Sequence, residues 1–326
     1  MAAAFFLLVK LLAAATAQAD ELRPAFLDLR EFAPGRFSIV WKVPAPGNMR
    51  LAIHVRMPES CKAANDPVRT VNAGAFVERW NVECDRGLKQ ERIEIAGLRT
   101  TPIETLAHIT YVDGSTQVAR LTPDATSLVA TGAQTRLDVA RTYFLLGVDH
   151  ILTGFDHLLF VFTLVLLIKD RWTLLKTITA FTLAHSITLA GASLGYISLH
   201  QQPVEAAIAL SIAFTARELV HDRDEDKSLA RRAPWVLAFA FGLLHGFGFA
   251  GALKEIGLPA NETPLALLTF NVGVETGQLI FVAAILLILR AISTLFDPLT
   301  ATPLRAVAYL IGTVSMVWFI SRAAAF

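Results

Sequence analysis

The pattern of hydrophobic and polar positions changes in period along the chain. In the first half, apolar and polar side chains alternate over residues 51–57 and again around Ile93 and Ile95. A period of two residues is typical of β-strands with one buried face. From Tyr143 onward, long apolar runs replace the alternation, and their lengths match those of membrane-spanning helices. The pattern therefore predicts a β-domain followed by a helical membrane domain.

Turn signals divide the first part of the chain into short strands. Pro34-Gly35 and Asp113-Gly114 each stand between runs of strand-forming residues, where hairpin turns are expected. About seven short strands over roughly 110 residues fit a β-sandwich of the immunoglobulin-like type. We therefore predict an all-β domain over residues 20–140.

Six apolar segments follow within residues 141–326. Each is long enough to cross about 30 Å of hydrocarbon, and the first is longer than an upright helix needs. These segments predict a polytopic α-helical membrane bundle of about six transmembrane helices. They cover residues 143–168, 174–195, 203–220, 234–252, 264–289 and 303–321.

The first 19 residues have the features of a secretory signal peptide. An apolar run over residues 5–15 precedes small residues at positions 17 and 19, and cleavage is expected before Asp20. The run is too short to cross a bilayer. Lys10 interrupts it, so an uncleaved interfacial helix is the alternative. A signal peptide predicts export of the β-domain to the periplasm.

The chain has two cysteines, Cys61 and Cys84, and both fall in the predicted exported domain. In an oxidising compartment such a pair is most simply a disulfide. Two free thiols are the alternative, because a metal site made of these two residues alone would lack ligands.

Composition and charge agree with a chain that lies in two different solvents. Hydrophobic residues make up 54% of the chain and charged residues only 17%, which argues against a single soluble domain. The formal net charge is +1. A nucleic-acid partner therefore has no electrostatic support.

Basic residues predict the orientation of the bundle through the positive-inside rule. If residue 143 begins outside, the outer connections and the tail hold only Lys254 and Arg322. The β-domain and the C-terminus would then be periplasmic, and the helices would lie in a bacterial inner membrane. The inner connections and their flanks hold Lys169, Arg171, Lys176, Arg217, Arg223, Lys227, Arg231, Arg232, Arg290 and Arg305.

Ionisable side chains occur within the apolar segments, where they are costly and usually face the interior of a bundle. Four histidines and two acids fall between the bilayer centre and its outer surface. Imidazoles with neighbouring carboxylates can form a transition-metal site, whereas interhelical hydrogen bonding is the alternative interpretation. We predict metal binding by His150, Asp156, His157, His185, His245 and Glu275.

Helical spacing predicts how these side chains meet. His150 and His157 are seven residues apart and would share one face of a continuous helix. Asn271, Glu275 and Gln278 form a similar stripe. Glycines four residues apart would let helices approach closely near the polar positions. The glycine pairs are Gly242 with Gly246, Gly273 with Gly277, and Gly191 with Gly195.

The sequence blocks around these residues resemble the HupE/UreJ family of bacterial membrane proteins, which are hydrogenase and urease accessory proteins. The resemblance rests on the His-x5-Asp-His pattern of residues 150–157 and on blocks 181–186, 245–250 and 270–275. It covers roughly residues 143–326, and the β-domain resembles the longer branch of the family. For the short branch, the resemblance implies permeation of nickel or cobalt, with the two histidines and the aspartate of the pattern as ligands.

Three functions are compatible with these residues. The expected function is a nickel- or cobalt-type permease or a metal-delivery accessory protein. The alternative is an intramembrane zinc-dependent hydrolase, in which Asp156 or Glu275 would be the general base and Ser186 a transition-state donor. A noncatalytic metal-binding scaffold is the second alternative. The expected partners are a metal ion, the lipid bilayer and a periplasmic protein that binds the β-domain.

Overall fold

The structure is a computed structural model, and its described residues group in two compact units. One unit includes Asp20–Thr142 and Ala252–Ala266, and the other includes Tyr143–Gly251 and Leu267–Phe326. The predicted signal peptide lies outside the described residues. The residues described are 24–45, 50–72, 75–101, 103–132, 135–197, 199–220, 229–256, 262–295 and 301–324.

The first unit contains a β-domain, as the alternating pattern predicts. Ten strands occur in the described residues, more than the seven or so predicted, because three of them have only three residues each. The strands are β1 (Ala25–Ala33), β2 (Arg36–Pro44), β3 (His54–Arg56), β4 (Cys61–Ala63), β5 (Val68–Asn72), β6 (Ala75–Cys84), β7 (Arg92–Ala96), β8 (Thr105–Thr110), β9 (Thr116–Leu121) and β10 (Ser127–Val129).

The strands form two sheets around one hydrophobic core. The larger sheet has the order β4-β6-β2-β1-β8-β9, with β5 also paired to β6, and the smaller has the order β10-β7-β3. Strands β1 and β8 run parallel. Trp41 and Ile39 from the larger sheet and Ile93 and Ile95 from the smaller one belong to the same buried cluster. In β2 and β7 alternate side chains are buried and build the core, as a period of two residues requires.

Both predicted hairpin turns are confirmed. Gly35 connects β1 to β2 with φ +71°, and Gly114 connects β8 to β9 with φ +79°. Such positive angles cost a side-chain-bearing residue energy but not glycine. A Cβ atom on Gly35 would also lie 2.7 Å from the carbonyl oxygen of Cys84.

The predicted disulfide is confirmed. Cys61 and Cys84 are bonded, and they are directly paired residues of the antiparallel strands β4 and β6. The bond fixes the short strand β4 to the edge of the larger sheet. Their separation in sequence is 23 residues, so the bond closes a sizeable loop of the unfolded chain.

Helices follow the β-domain at each predicted apolar segment. The first segment contains two helices instead of one, and the other five each match one long helix. In the described part of the chain, the helices are α1 (Arg136–Thr153), α2 (Phe155–Leu167), α3 (Arg171–Ser193), α4 (Gln201–Val220), α5 (Leu229–Arg232), α6 (Pro234–Ile256), α7 (Thr263–Leu295) and α8 (Ala301–Ala323).

The prediction of a continuous first helix is wrong, because the chain bends by 71° between α1 and α2. Gly154 stands at the break with φ −76° and ψ 96°, which is an extended conformation. A Cβ atom there would lie 2.7 Å from the carbonyl oxygen of His150 and 2.9 Å from Nδ1 of His157. Glycine is therefore the residue that lets the two helix ends come together.

A charged cap determines where α3 begins. The carboxylate of Asp170 accepts hydrogen bonds from the backbone N–H and the hydroxyl of Thr173, at 2.8 Å and 2.7 Å. These bonds hold the pKa of the Asp170 carboxyl below its usual value. The cap satisfies a backbone donor that has no partner within the helix.

Two of the helices are long and apolar enough to cross a membrane, at Thr263–Ala291 and Leu304–Ala323. The number rises to three if the bent pair α1 and α2 counts as one span. This finding refers to length and composition within the described residues. The chain is therefore a membrane protein in which a helical region follows the β-domain.

Glycines bring the helix backbones of the second unit into contact. A Cβ atom on Gly147 of α1 would lie 2.0 Å from the carbonyl oxygen of Phe270, and one on Gly273 of α7 would lie 2.1 Å from that of Phe144. The α6 glycines Gly242 and Gly246 approach the carbonyl oxygens of α3 in the same way, at 2.4 Å each. Gly277 of α7 also approaches α1. The predicted close approach is therefore confirmed for the pair Gly242 with Gly246 and for the pair Gly273 with Gly277.

The third glycine pair does not pack helices together. Gly195 lies beyond the end of α3 with φ +85°, and no heavy atom lies within 4 Å of a Cβ built on it. Gly191 would make only an ordinary contact with Ile197, at 3.5 Å. This glycine pair lies at the end of α3, so the prediction that it lets two helices pack closely is wrong.

Candidate metal centre

The four histidines predicted from the apolar segments meet inside the second unit. His150 lies in the last turn of α1, His157 lies in the first turn of α2, His185 lies in α3 and His245 lies in α6. The ring centroids of His150 and His157 are 4.7 Å apart, and those of His157 and His245 are 5.0 Å apart. His150, His157 and His185 each offer a nitrogen atom, and these atoms all lie within 4.8 Å of one another.

The bend at Gly154 brings His150 and His157 together. Seven residues of a straight helix rise by about 10.5 Å, so these two rings could not be adjacent on a continuous helix. The observed centroid distance of 4.7 Å requires the break between α1 and α2. The prediction of a shared helix face is therefore wrong, although both residues do reach the same site.

Asp156 orients the ring of His157. One carboxylate oxygen of Asp156 accepts a hydrogen bond from the backbone N–H of His157 at 2.8 Å and lies 2.9 Å from Nδ1 of the ring. When the carboxylate is ionised, Nδ1–H donates to it and Nε2 keeps its lone pair. Carboxylates that act on a metal-binding histidine in this way fix the tautomer and raise the basicity of the ring.

The rings of His245 and His185 are also oriented through Nδ1. Nδ1–H of His245 donates to the carbonyl oxygen of Phe241 at 2.9 Å, and Nδ1 of His185 lies 3.4 Å from the amide oxygen of Asn271. Both contacts leave Nε2 as the atom with a lone pair. Among the described residues, the Nε2 atoms of His150, His185 and His245 are buried and have no hydrogen-bond partner. Buried nitrogen atoms with free lone pairs are what a metal ion requires.

Aromatic rings surround the imidazoles. The ring of His150 lies 4.0 Å from that of Phe249, which stacks on Phe270. The rings of Phe160 and Phe181 lie 5.5 Å and 5.0 Å from His245. His157, His185 and His245 are 3%, 0% and 0% exposed, so interactions among these rings are stronger than they would be in water.

The other predicted site residues are engaged elsewhere. The Glu275 carboxylate accepts a hydrogen bond from the hydroxyl of Thr179 at 2.7 Å, and it is not part of the three-histidine group. The hydroxyl of Ser186 donates to the carbonyl oxygen of Thr182 at 2.7 Å. Glu275, a predicted ligand of the same site, therefore joins α7 to α3 outside the three-histidine group.

Sequence reasoning missed the aromatic rings and the backbone oxygen that orient the site. Phe181 precedes His185 by four residues, about one helical turn, and the two rings are stacked 6.3 Å apart. This spacing is a signal that could have identified Phe181. The contribution of the Phe241 carbonyl has no such signal, because every residue carries a carbonyl group.

Residues 126–322 match the protein family described as HupE / UreJ protein. The matched region contains all four histidines, Asp156 and Glu275. No curated protein matches the chain. Because the match covers more than half of the chain, the protein belongs to the HupE/UreJ family.

Proposed function

We propose that this protein binds a divalent transition metal inside the membrane and acts as a nickel- or cobalt-type permease or metal-delivery accessory protein. The observation that carries the proposal is the convergence of His150, His157 and His185, whose ligand atoms lie within 4.8 Å of one another. The metal is cargo in this proposal, so it must enter and leave. A neutral imidazole set suits such exchange better than thiolates, which hold zinc or iron–sulfur clusters firmly.

The donor chemistry supports a transition metal over a hard cation. Imidazole nitrogen suits nickel, cobalt, zinc and copper, whereas magnesium and calcium take oxygen ligands. In the proposed site, His150, His157 and His185 bind the metal and His245 supplies a fourth nitrogen. Asp156 serves as the carboxylate that orients His157, a role supported by its two contacts with that residue.

The carboxylates favour metal handling over hydrolysis. A hydrolase needs a carboxylate or similar base that is free to take a proton from metal-bound water. Asp156 already contacts His157 twice, and Glu275 bonds to Thr179. Neither arrangement supports the general-base role, so we prefer transport or delivery.

We further propose that the six apolar segments all cross the membrane. Helices α3 and α4 are not among the candidate spans by length and composition, but polar residues near their centres are turned inward, since His185 and Thr215 are both fully buried. Their exposed positions include Leu183, Ile187 and Leu210, which are 57%, 54% and 46% exposed. Polar groups inside and apolar groups outside are expected for helices surrounded by lipid.

The arrangement around the membrane is also part of the proposal. Residues 1–19 would be the signal peptide, residues 20–140 a periplasmic immunoglobulin-like domain that binds a protein partner, and residues 141–326 the helical domain. The motivation is the excess of basic residues in the connections assigned to the inner side. Labelling of a cysteine at position 226 from outside intact cells would contradict this orientation.

Metal content tests the central proposal. The full-length protein, purified in detergent and dialysed against trace nickel, cobalt and zinc, should retain about one metal ion per chain by elemental analysis. His157→Ala and His185→Ala should each lose the metal, whereas His54→Ala, an exposed position in β3, should not. Unchanged metal content in His157→Ala would reject the site. Uptake by proteoliposomes then separates permeation from simple binding.

A further inference from the structure

A second set of polar side chains lies on one buried face of α4. Ser211, Thr215 and Glu218 are spaced by four and three residues, so they follow one another along the same helix face. They are 2%, 0% and 4% exposed. A carboxylate buried in a membrane helix is costly and usually marks a functional position.

This polar face contacts the helix that carries the metal site. The hydroxyl oxygens of Thr163 in α2 and Thr215 in α4 lie 3.2 Å apart. Thr163 follows Asp156 by seven residues, which places both on nearly the same face of α2, about 10.5 Å apart along its axis. The buried polar groups therefore extend from the side of α2 that holds Asp156 towards the C-terminal end of α4.

The Glu218 carboxylate has one oxygen atom available. Its Oε1 lies 3.7 Å from a guanidinium nitrogen of Arg217, whose side chain is largely exposed. Its Oε2 is buried without a hydrogen-bond partner in the described part of the chain. The guanidinium of Arg231 donates to the backbone carbonyl of Glu218, not to the carboxylate. An acid that is buried but incompletely paired costs free energy unless a cation joins it.

We propose that Glu218, with the hydroxyl oxygens of Thr215 and Thr163, forms a second cation site that accepts the metal after it leaves the histidines. This inference rests on the proposed function. The site offers oxygen donors only, and the nearby Arg217 guanidinium lowers its affinity for cations. Weak binding is what an onward site needs, because conduction requires a cation to leave as readily as it enters.

Cobalt alone is a suitable probe, since it binds nitrogen and oxygen ligands with different absorption spectra. Equilibrium dialysis of the full-length protein should detect a tight class of site and a weaker one. Glu218→Gln should remove the weaker class and slow cobalt uptake into proteoliposomes by about tenfold, comparable to losing a group that supports a ligand. The tight class should keep its stoichiometry and spectrum, which also establishes that the variant is folded.

The control is Glu205→Gln, which changes an acid at the opposite end of the same helix, near Arg322. This variant should keep both classes of site and the wild-type uptake rate. Thr215→Val should weaken the second class several-fold and provides an independent test if Glu218→Gln does not fold. Wild-type uptake and wild-type cobalt binding in Glu218→Gln would overturn the inference. If the wild-type protein shows no tight class of cobalt site, the proposed function is overturned, and the onward role of Glu218 is overturned with it.

Discussion

Replacing Gly154 by alanine tests whether the bend between α1 and α2 builds the metal centre. The new Cβ atom would lie 2.7 Å from the carbonyl oxygen of His150 and 2.9 Å from Nδ1 of His157, whereas ordinary contact begins at 3.4 Å. The imidazole of His157 must therefore move by about 0.5 Å, or the end of α1 must shift. The backbone angles at this position suit alanine. The perturbation therefore comes from the added methyl group and not from backbone strain.

A shift of that size is large compared with what a metal site tolerates. Metal–ligand distances must hold within about 0.2 Å. A movement of that size can lengthen the 2.9 Å contact between Nδ1 of His157 and Asp156 to as much as about 3.4 Å, beyond the usual range of an N–H···O hydrogen bond. Perturbing such an orienting contact weakens metal binding by about 10- to 100-fold. We expect this loss for Gly154→Ala, with about 1–3 kcal/mol of destabilisation from the added atom.

The assay is equilibrium dialysis of the purified full-length protein against nickel and cobalt, with thermal unfolding measured on the same samples. The matched control is Gly191→Ala in α3, because its new Cβ atom would make only an ordinary contact with Ile197 at 3.5 Å. The control should bind metal within about twofold of the wild type. Metal binding by Gly154→Ala at the level of the control would refute the claim that this glycine positions the two histidines.

Three further predictions follow from the same contacts. Asp156→Asn should lower metal affinity by about 10- to 100-fold, because an amide orients the ring of His157 without the charge of a carboxylate; dialysis against nickel measures the loss. Removing the disulfide with Cys61→Ser and Cys84→Ser together should destabilise the β-domain by about 3.5 kcal/mol in the chain-entropy model, and equal denaturation midpoints with and without the bond would contradict this. Gly35→Ala should destabilise this domain more than Gly114→Ala. Both glycines have positive φ angles, but only the first would place a Cβ atom against a backbone oxygen; thermal melts that rank the two variants the other way would show that the contact at Gly35 is unimportant.

Local patterns were sufficient for much of the fold. The alternation around Ile93 and Ile95 identified strand β7, in which both isoleucines are fully buried, and the glycines at positions 35 and 114 identified turns. Apolar segment lengths located the long helices within a few residues. These features are readable because each depends on neighbours in sequence: the period of a strand, the backbone angle of one residue, or the length of an apolar run.

The candidate site was predicted in composition but not in geometry. The four histidines do meet, yet Glu275, which has the same spacing and depth, bonds to Thr179 on another helix. Spacing along one helix gives the face on which a side chain lies. It does not give the partner that the face meets, because that depends on how other helices pack.

The sequence by itself therefore determined the division into a β-domain and apolar helices, the disulfide partners and the residue types of the candidate metal centre. Only the tertiary structure decided that the helix breaks at Gly154 and that Asp156 contacts His157 instead of standing apart from it. It also decided that Nδ1 of His245 is used by the Phe241 carbonyl, which leaves Nε2 for a metal. The physical reason is that hydrogen bonds and close contacts act over about 3 Å, so they depend on the relative positions of elements that are distant in the sequence.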